Sequence, residues 1–174
     1  MNTKTALVLY TLLIISLFIS EIFPPSSIFT TLILFSPLAF LDEKFLGIKR
    51  FIKGFIYGIL PSVIYFPFLD LNQLFTSLSI NVFFLALGEE VFFRGYLFNV
   101  FSIKNVHLKN ILISLLFTLP HLIQIQTLDR FLVFFPSIVF GYLYIYSKTV
   151  WSPTVFHYFS NMFYINYLSK VLSF

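Results

Sequence analysis

Residues 80–98 read INVFFLALGEEVFFRGYLF, an apolar stretch that contains three charged side chains. Glu89, Glu90 and Arg94 fall within six consecutive residues. An ionisable group at bilayer depth costs from ~2.5 kcal/mol upward, depending on how far its side chain can reach toward the headgroups. Ionisable groups at this depth therefore pair with another group or serve a function. The stretch therefore predicts a helix inside a membrane protein, with embedded charges that serve its function.

The composition of the whole chain indicates the same class of protein. Of its 174 residues, 59% are hydrophobic and 10% are charged, and the mean hydropathy is +0.93. A soluble domain carries about 25% charged residues. The absence of cysteine excludes disulfides, thiolate zinc sites and cysteine nucleophiles. The basic residues are scattered rather than clustered, which argues against a nucleic-acid partner and leaves the lipid bilayer as the expected surroundings.

Seven apolar segments predict an all-α polytopic membrane helix bundle, with about seven transmembrane segments and a compatible range of six to eight. A membrane-spanning helix needs about 17–25 residues, so the second segment is marginal and is expected to be tilted, re-entrant or longer. The first is followed by no small-residue cleavage site, which predicts a retained anchor. We expect one integral membrane domain over residues 1–174. The segments are 6–20, 28–41, 54–69, 74–100, 106–123, 131–146 and 150–172.

The basic residues between these segments predict the orientation. With the amino terminus in the cytoplasm, eight cations lie on the cytoplasmic side, whereas Arg130 and Lys170 lie outside. This distribution follows the positive-inside rule. The Phe-, Ile- and Asn-rich composition is compatible with an AT-rich bacterial genome, so we expect a bacterial cell membrane as the location. The eight are Lys4, Lys44, Lys49, Arg50, Lys53, Lys104, Lys109 and Lys148.

The two embedded glutamates differ in the partners available to them. Glu90 and Arg94 are four residues apart, so on a helix they share a face and can form a supporting ion pair. Glu89 points about 100° away and has no local cation. A buried carboxylate without a complete partner can accept a proton, as a general base must.

Three further polar residues lie within later apolar segments. His121 follows Pro120, which removes a backbone hydrogen bond and favours an opening toward a cavity. His157 and Asn161 are four residues apart and share a helical face. Each of these alone is compatible with polar contacts between helices. Together with Glu89 they supply the groups that activate water and stabilise a tetrahedral oxyanion.

Two mechanisms are open to this set. In the preferred one, which needs no cofactor, Glu89 with His121 activates a water while His157 and Asn161 hold the oxyanion. In the alternative, Glu89 or Glu90 binds zinc together with His121 and His157, leaving one position for water. The usual His-Glu-x-x-His zinc signature is absent from the sequence.

At this point the motifs resemble those of the CAAX protease and bacteriocin-processing family, also called CPBP or Abi, of intramembrane endopeptidases. The resemblance covers residues 76–173, a family-like catalytic core, and it implies a membrane protein or peptide as substrate. Family members are commonly labelled metalloproteases, although a glutamate-activated water is the better-supported mechanism. The motifs are Glu89-Glu90-x-x-x-Arg94, Phe117-x-x-x-His121 and His157-x-x-x-Asn161.

The resemblance also implies roles for individual residues. Glu89 would activate the water with help from His121. His157 and Asn161 would form the oxyanion site. The pair at positions 90 and 94 would support the site. Arg94 lies toward the loop that contains Lys104 and Lys109, so cleavage is expected near the cytoplasmic side.

Two other functions remain open from the sequence. A proton-coupled carrier also needs embedded carboxylates and histidines, here Glu89, Glu90 and His121. The chain has few glycines and no inverted repeat, which disfavours a carrier. A catalytically inactive immunity or scaffold relative would keep the motifs for packing alone.

Overall fold

The computed structural model describes residues 2–70, 72–74, 76–124 and 128–169, and within them the chain forms helices and no strand. The prediction of a helical membrane bundle is confirmed. The last part of the seventh predicted segment, residues 170–172, lies outside the described residues, and Lys170 lies there too. The α-helices in the described ranges are α1 Thr3–Ile22, α2 Ser27–Phe35, α3 Pro37–Phe40, α4 Glu43–Leu46, α5 Phe51–Ser62, α6 Ser77–Glu90, α7 Phe98–Val100, α8 Val106–Gln124, α9 Leu128–Phe131, α10 Phe134–Ser147 and α11 Trp151–Phe163.

Prolines account for most departures from the predicted segments. The second segment is divided at Ser36 because Pro37 begins α3. The third begins earlier than predicted, at Phe51, and after α5 it tightens into a 3-10 helix, Val63–Phe68, which contains Pro67. A short 3-10 turn, Pro24–Ser26, joins α1 to α2. The one-turn helix α4 lies in a predicted loop.

The outer surface of the bundle is apolar, as a bilayer requires. Three helical stretches, Thr3–Ile22, Glu43–Phe68 and Val106–Ile123, are long and apolar enough to cross a membrane. Pro24–Phe40 and Phe134–Ser147 are shorter apolar helices. Large apolar side chains on these helices point outward, whereas many of the buried side chains are serine or threonine. Small and hydroxyl-bearing residues between helices are typical of membrane bundles.

Helix α11 lies at the centre of the bundle and packs against α5, α6 and α10. Its contact with α5 is close because α5 presents two glycines to it. A Cβ atom on Gly58 would lie 2.6 Å from the carbonyl oxygen of Ser152 and 2.7 Å from Cβ of Val155. A Cβ atom on Gly54 would lie 2.5 Å from Cβ of Trp151. Since real Cβ atoms do not approach so closely, the two backbones pack at a distance that only glycine allows.

Hydrogen bonds between loops close one end of the bundle. The amide of Val150 donates to the carbonyl of Gly47 (3.0 Å), which caps α4 with a left-handed φ of 73°. The indole Nε1–H of Trp151 donates to the carbonyl of Ile48 (2.6 Å). Asn99 donates to the carbonyl of Phe45 (2.9 Å). We call this the basic end, because α4 and the loops there contain Lys44, Lys49, Lys104 and Lys148.

We predict that Gly58→Val lowers the thermal unfolding temperature of the protein in detergent, because the added methyl groups would overlap α11. Overpacking of this kind costs about 1–3 kcal/mol. Leu60→Val is the control, since Leu60 is 66% exposed on the same helix. A Gly58→Val protein that unfolds with the wild type would contradict the close α5–α11 contact.

Candidate active site

The site is built around the Glu90 carboxylate, which is completely buried at the end of α6. Its Oε1 atom accepts a hydrogen bond from Nη1 of Arg94 (3.0 Å) and another from Nδ1 of His157 (2.9 Å). The pairing of Glu90 with Arg94 that the four-residue spacing predicts is therefore confirmed. The sequence around Glu90 does not predict its contact with His157, which lies on α11. Glu90 thus joins two of the predicted motifs.

Arg94 is also completely buried and links the site to α10. Its Nη2 atom donates to the carbonyl oxygen of Ser137 (2.7 Å) and contacts the hydroxyl of the same residue (2.6 Å). The guanidinium lies over the rings of Phe117 and Phe140, 4.7 and 5.4 Å from their centroids. Cation–π contacts of this kind stabilise a desolvated guanidinium. Arg94 therefore connects α6 to α8 and α10.

The imidazole of His157 is held in one orientation. Because a carboxylate only accepts, Nδ1 of His157 carries the hydrogen that Glu90 receives. The Nε2 atom then faces the other glutamate, with 3.5 Å between it and Oε2 of Glu89. The ring stacks on Phe140, with centroids 4.4 Å apart, and meets the edge of Phe117. His157 therefore presents Nε2 toward Glu89.

Wide helical turns follow both of the helices that contribute to this contact. The π-helical segment Val91–Leu97 follows α6, and Phe98 N–H bonds to the carbonyl of Phe93, five residues back. The π-helical segment Tyr164–Leu168 follows α11, where Ser169 N–H bonds to the carbonyl of Tyr164. Such turns are rare in proteins as a whole, but those that occur frequently lie at functional sites. All seven residues of the segment Val91–Leu97, including Arg94, are buried.

Glu89 differs from Glu90 in its access to open space. Its side chain is 15% exposed, and it lines two cavities. The predicted divergence of the two glutamates is thus observed: one is enclosed by partners and the other reaches a cavity wall.

His121 lies near the end of α8, and its Nδ1 atom lies 2.9 Å from the carbonyl of Phe117. Since a carbonyl can only accept, Nδ1 carries the hydrogen and Nε2 keeps its lone pair. His121 lines the same two cavities as Glu89.

The larger of these cavities, about 740 Å³, brings together all four candidate catalytic residues: Glu89, His121, His157 and Asn161. Most of its wall is apolar and comes from α10, α11 and the π-helical segment after α11. Pockets of about 300–1,000 Å³ with apolar walls and a few polar groups are typical ligand sites. The apolar lining includes Ile64, Val82, Leu132, Val133, Phe135, Val139, Phe156, Phe163 and Ile165.

The large cavity lies in the half of the bundle opposite the basic end. Its lining residues come from the middle and end of α6, the start of α10, the end of α8 and the second half of α11. The amino-terminal orientation and the side of the membrane on which cleavage occurs stay predictions. Glu89 itself lies midway between Ser77 and Val100.

Zinc is the alternative cofactor that the sequence allows. Within the described residues, no three histidine, aspartate or glutamate side chains are grouped so that they could hold a metal ion. Zinc binding by Glu89, His121 and His157 stays a prediction.

Sequence reasoning missed the aromatic and hydroxyl residues that surround the buried charges. Ser137 holds Arg94, and Phe140 stacks on His157, yet both look like ordinary members of an apolar segment. Four hydroxyls of the first two helices, which line the smaller cavity, were missed as well. Neither the residues around the buried charges nor these hydroxyl residues follow a sequence spacing that would have marked them as part of a site.

Comparison with known families gives one match. The family model for Type II CAAX prenyl endopeptidase Rce1-like proteins matches residues 71–163, which is more than half of the chain. The matched range contains all six predicted site residues. Neither the curated proteins nor the solved structures yielded a match.

We predict that Arg94→Met destabilises the fold, because it leaves the Glu90 carboxylate buried with His157 as its remaining partner. Breaking a buried ion pair costs on the order of 3–5 kcal/mol. The double variant Glu90→Gln/Arg94→Met should lose less than the sum of the two single variants in thermal or denaturant unfolding. Lys104→Met, at an exposed cation, is the control. Additive losses would refute the coupling.

Proposed function

The chain belongs to the Rce1-like family of type II CAAX prenyl endopeptidases, and we propose that it is an intramembrane endopeptidase that hydrolyses a peptide bond in a membrane-associated protein or peptide. The observation that carries this proposal is the convergence of Glu89, His121, His157 and Asn161 on one apolar cavity of about 740 Å³. An apolar cavity within a bilayer-facing bundle suits a substrate that is itself associated with the membrane.

Glu89 is the group that activates the water. It is the embedded carboxylate that reaches a cavity, whereas Oε1 of Glu90 is already occupied by Arg94 and His157. In the first step Glu89 accepts a proton from water while the water oxygen bonds to the scissile carbonyl carbon. The carbonyl oxygen becomes an oxyanion.

His157 and Asn161 stabilise that oxyanion. Because Nδ1 of His157 donates to Glu90, Nε2 can donate only when the ring carries both protons. A charged donor aimed at developing negative charge in a water-poor cavity lowers the barrier strongly. The Asn161 amide supplies a second donor in the same cavity.

His121 assists the proton transfers. Its Nδ1–H is held by the carbonyl of Phe117, so Nε2 is the atom left to exchange protons. When the intermediate collapses, the carbon–nitrogen bond breaks and the proton held by Glu89 passes to the leaving amine. A carboxylic acid and an amine are released, and the site returns to its starting state without a resident metal.

We predict that Glu89→Gln abolishes cleavage, because the amide cannot accept a proton from water, while the protein keeps its fold. The assay uses protein reconstituted in liposomes with a fluorogenic peptide library, and thermal unfolding checks the fold. Glu21→Gln, at an exposed glutamate at the end of α1, is the control. Removing a general base typically costs about 10²–10⁴-fold in rate.

Other outcomes would favour the other functions. Unchanged cleavage by Glu89→Gln would remove Glu89 as the base. Flux in liposomes that follows a pH gradient, without peptide hydrolysis, would indicate a proton-coupled carrier. A wild-type cellular phenotype for Glu89→Gln/His157→Ala would indicate an inactive immunity or scaffold protein.

Metal removal tests the mechanism separately. We expect strong chelation to leave cleavage unchanged and elemental analysis of the active protein to find no stoichiometric zinc. Loss of activity on chelation, restored by added zinc, would instead show that zinc is required.

A further inference from the structure

The first two helices precede the residues that match the family, and they form a second cavity at the catalytic glutamate. We infer that this smaller cavity binds the water consumed in hydrolysis and delivers it to Glu89 from the side opposite the substrate. The inference rests on the proposed function, since it assigns the water supply of the same site.

Glu89 borders both cavities. Three residues, Leu85, Glu89 and His121, line both of them. His157 and Asn161, the oxyanion donors, line only the larger one. The general base and its histidine can therefore be approached from the smaller cavity while a peptide occupies the larger one.

The smaller cavity is lined by a group of hydroxyls that suit water. Ser20 lies at the end of α1, and Ser27, Thr30 and Thr31 lie on α2. Ser27 and Thr31 are exposed, so the hydroxyl wall extends to the protein surface beside the α1–α2 turn. Apart from Glu89 and His121, the rest of the wall is apolar, as most of the wall of the larger cavity is.

The hydrogen bonds of these hydroxyls leave acceptor sites open. Ser20 donates to the carbonyl of Leu17 (2.8 Å). Ser16 donates to the carbonyl of Leu13 (2.8 Å), so in its 3.0 Å contact with Thr30 the hydrogen comes from Thr30. With its hydrogen committed, a hydroxyl of this kind still has lone pairs that accept from water.

The size of the cavity fits several waters. Its volume is about 240 Å³, whereas one water occupies about 30 Å³ in the liquid and a bound water needs 2–4 polar partners. Glu89, His121 and the four hydroxyls provide such partners.

A separate water site has a physical reason in this setting. The bilayer interior holds no bulk water, and a peptide seated in the apolar cavity would cover the Glu89 side chain from that direction. Each turnover nevertheless consumes one water. A polar reservoir behind the base keeps the nucleophile available while the substrate is bound.

The first test removes hydroxyls without changing side-chain shape. In Thr30→Val/Thr31→Val we expect kcat to fall about tenfold, with KM unchanged, because two hydrogen-bonding groups for water are lost. Thr30→Ser/Thr31→Ser keeps the hydroxyls and should restore kcat. Thr11→Val, on α1 outside both cavities, is the matched control.

Thermal unfolding of each variant separates this role from a structural one, because Thr30 also bonds to Ser16 across the helices. A fall in kcat with an unchanged unfolding temperature supports the water site. An unchanged kcat, or a raised KM with the same kcat, overturns it. Wild-type hydrolysis in the same assay shows that the proposed protease function stands in either case.

The second test uses the absence of cysteine. Thr30→Cys and Ser160→Cys place one thiol in the smaller and the larger cavity respectively, each in a Glu89→Gln background. A small water-soluble methanethiosulfonate should label both. The peptide that the wild-type protein cleaves fastest should protect Ser160→Cys and leave Thr30→Cys labelled. Protection of both thiols, or no labelling of Thr30→Cys without peptide, overturns the inference.

Discussion

One carboxylate oxygen, Oε1 of Glu90, accepts from both Arg94 and His157 in a fully buried position. Uncompensated charge in a medium without water is costly, so neither glutamate nor arginine could remain there alone. Arg94 is in turn held by Ser137 and by two aromatic rings. This chain of contacts joins α6, α8, α10 and α11. The packing of the helices around the candidate site depends on it.

The same contact separates the two neighbouring glutamates by role. Glu90 takes the hydrogen of His157 Nδ1, and this leaves Nε2 directed toward Glu89. Glu89 is turned away from the arginine by the helix and reaches the cavities instead. Glu90 therefore orients the imidazole toward Glu89, the carboxylate that we propose as the base. Two adjacent residues of one type serve different purposes because consecutive positions on a helix face different surroundings.

The two halves of the bundle also differ from each other. At the basic end, hydrogen bonds between loops tie α4, α10 and α11 together. In the other half, residues of α6, α8, α10 and α11 line the large cavity. Helices α1 and α2, which precede the matched residues, contribute to the wall of the smaller one. The candidate catalytic groups therefore lie away from the basic end, along the walls of these two cavities.

The sequence alone determined the membrane class, the helical architecture and the Glu90–Arg94 pair. Composition sets the class of protein, and two residues four positions apart on a helix share a face whatever the rest of the fold. It also singled out four of the polar residues that line the large cavity, Glu89, His121, His157 and Asn161. Only the tertiary structure decided that His157 bonds to Glu90, 67 positions away, and that Ser137 holds Arg94. The wide turns after α6 and α11 and the second cavity likewise had no local signal. These features depend on how separate helices pack, and the burial of charge against a distant partner is what selects that packing.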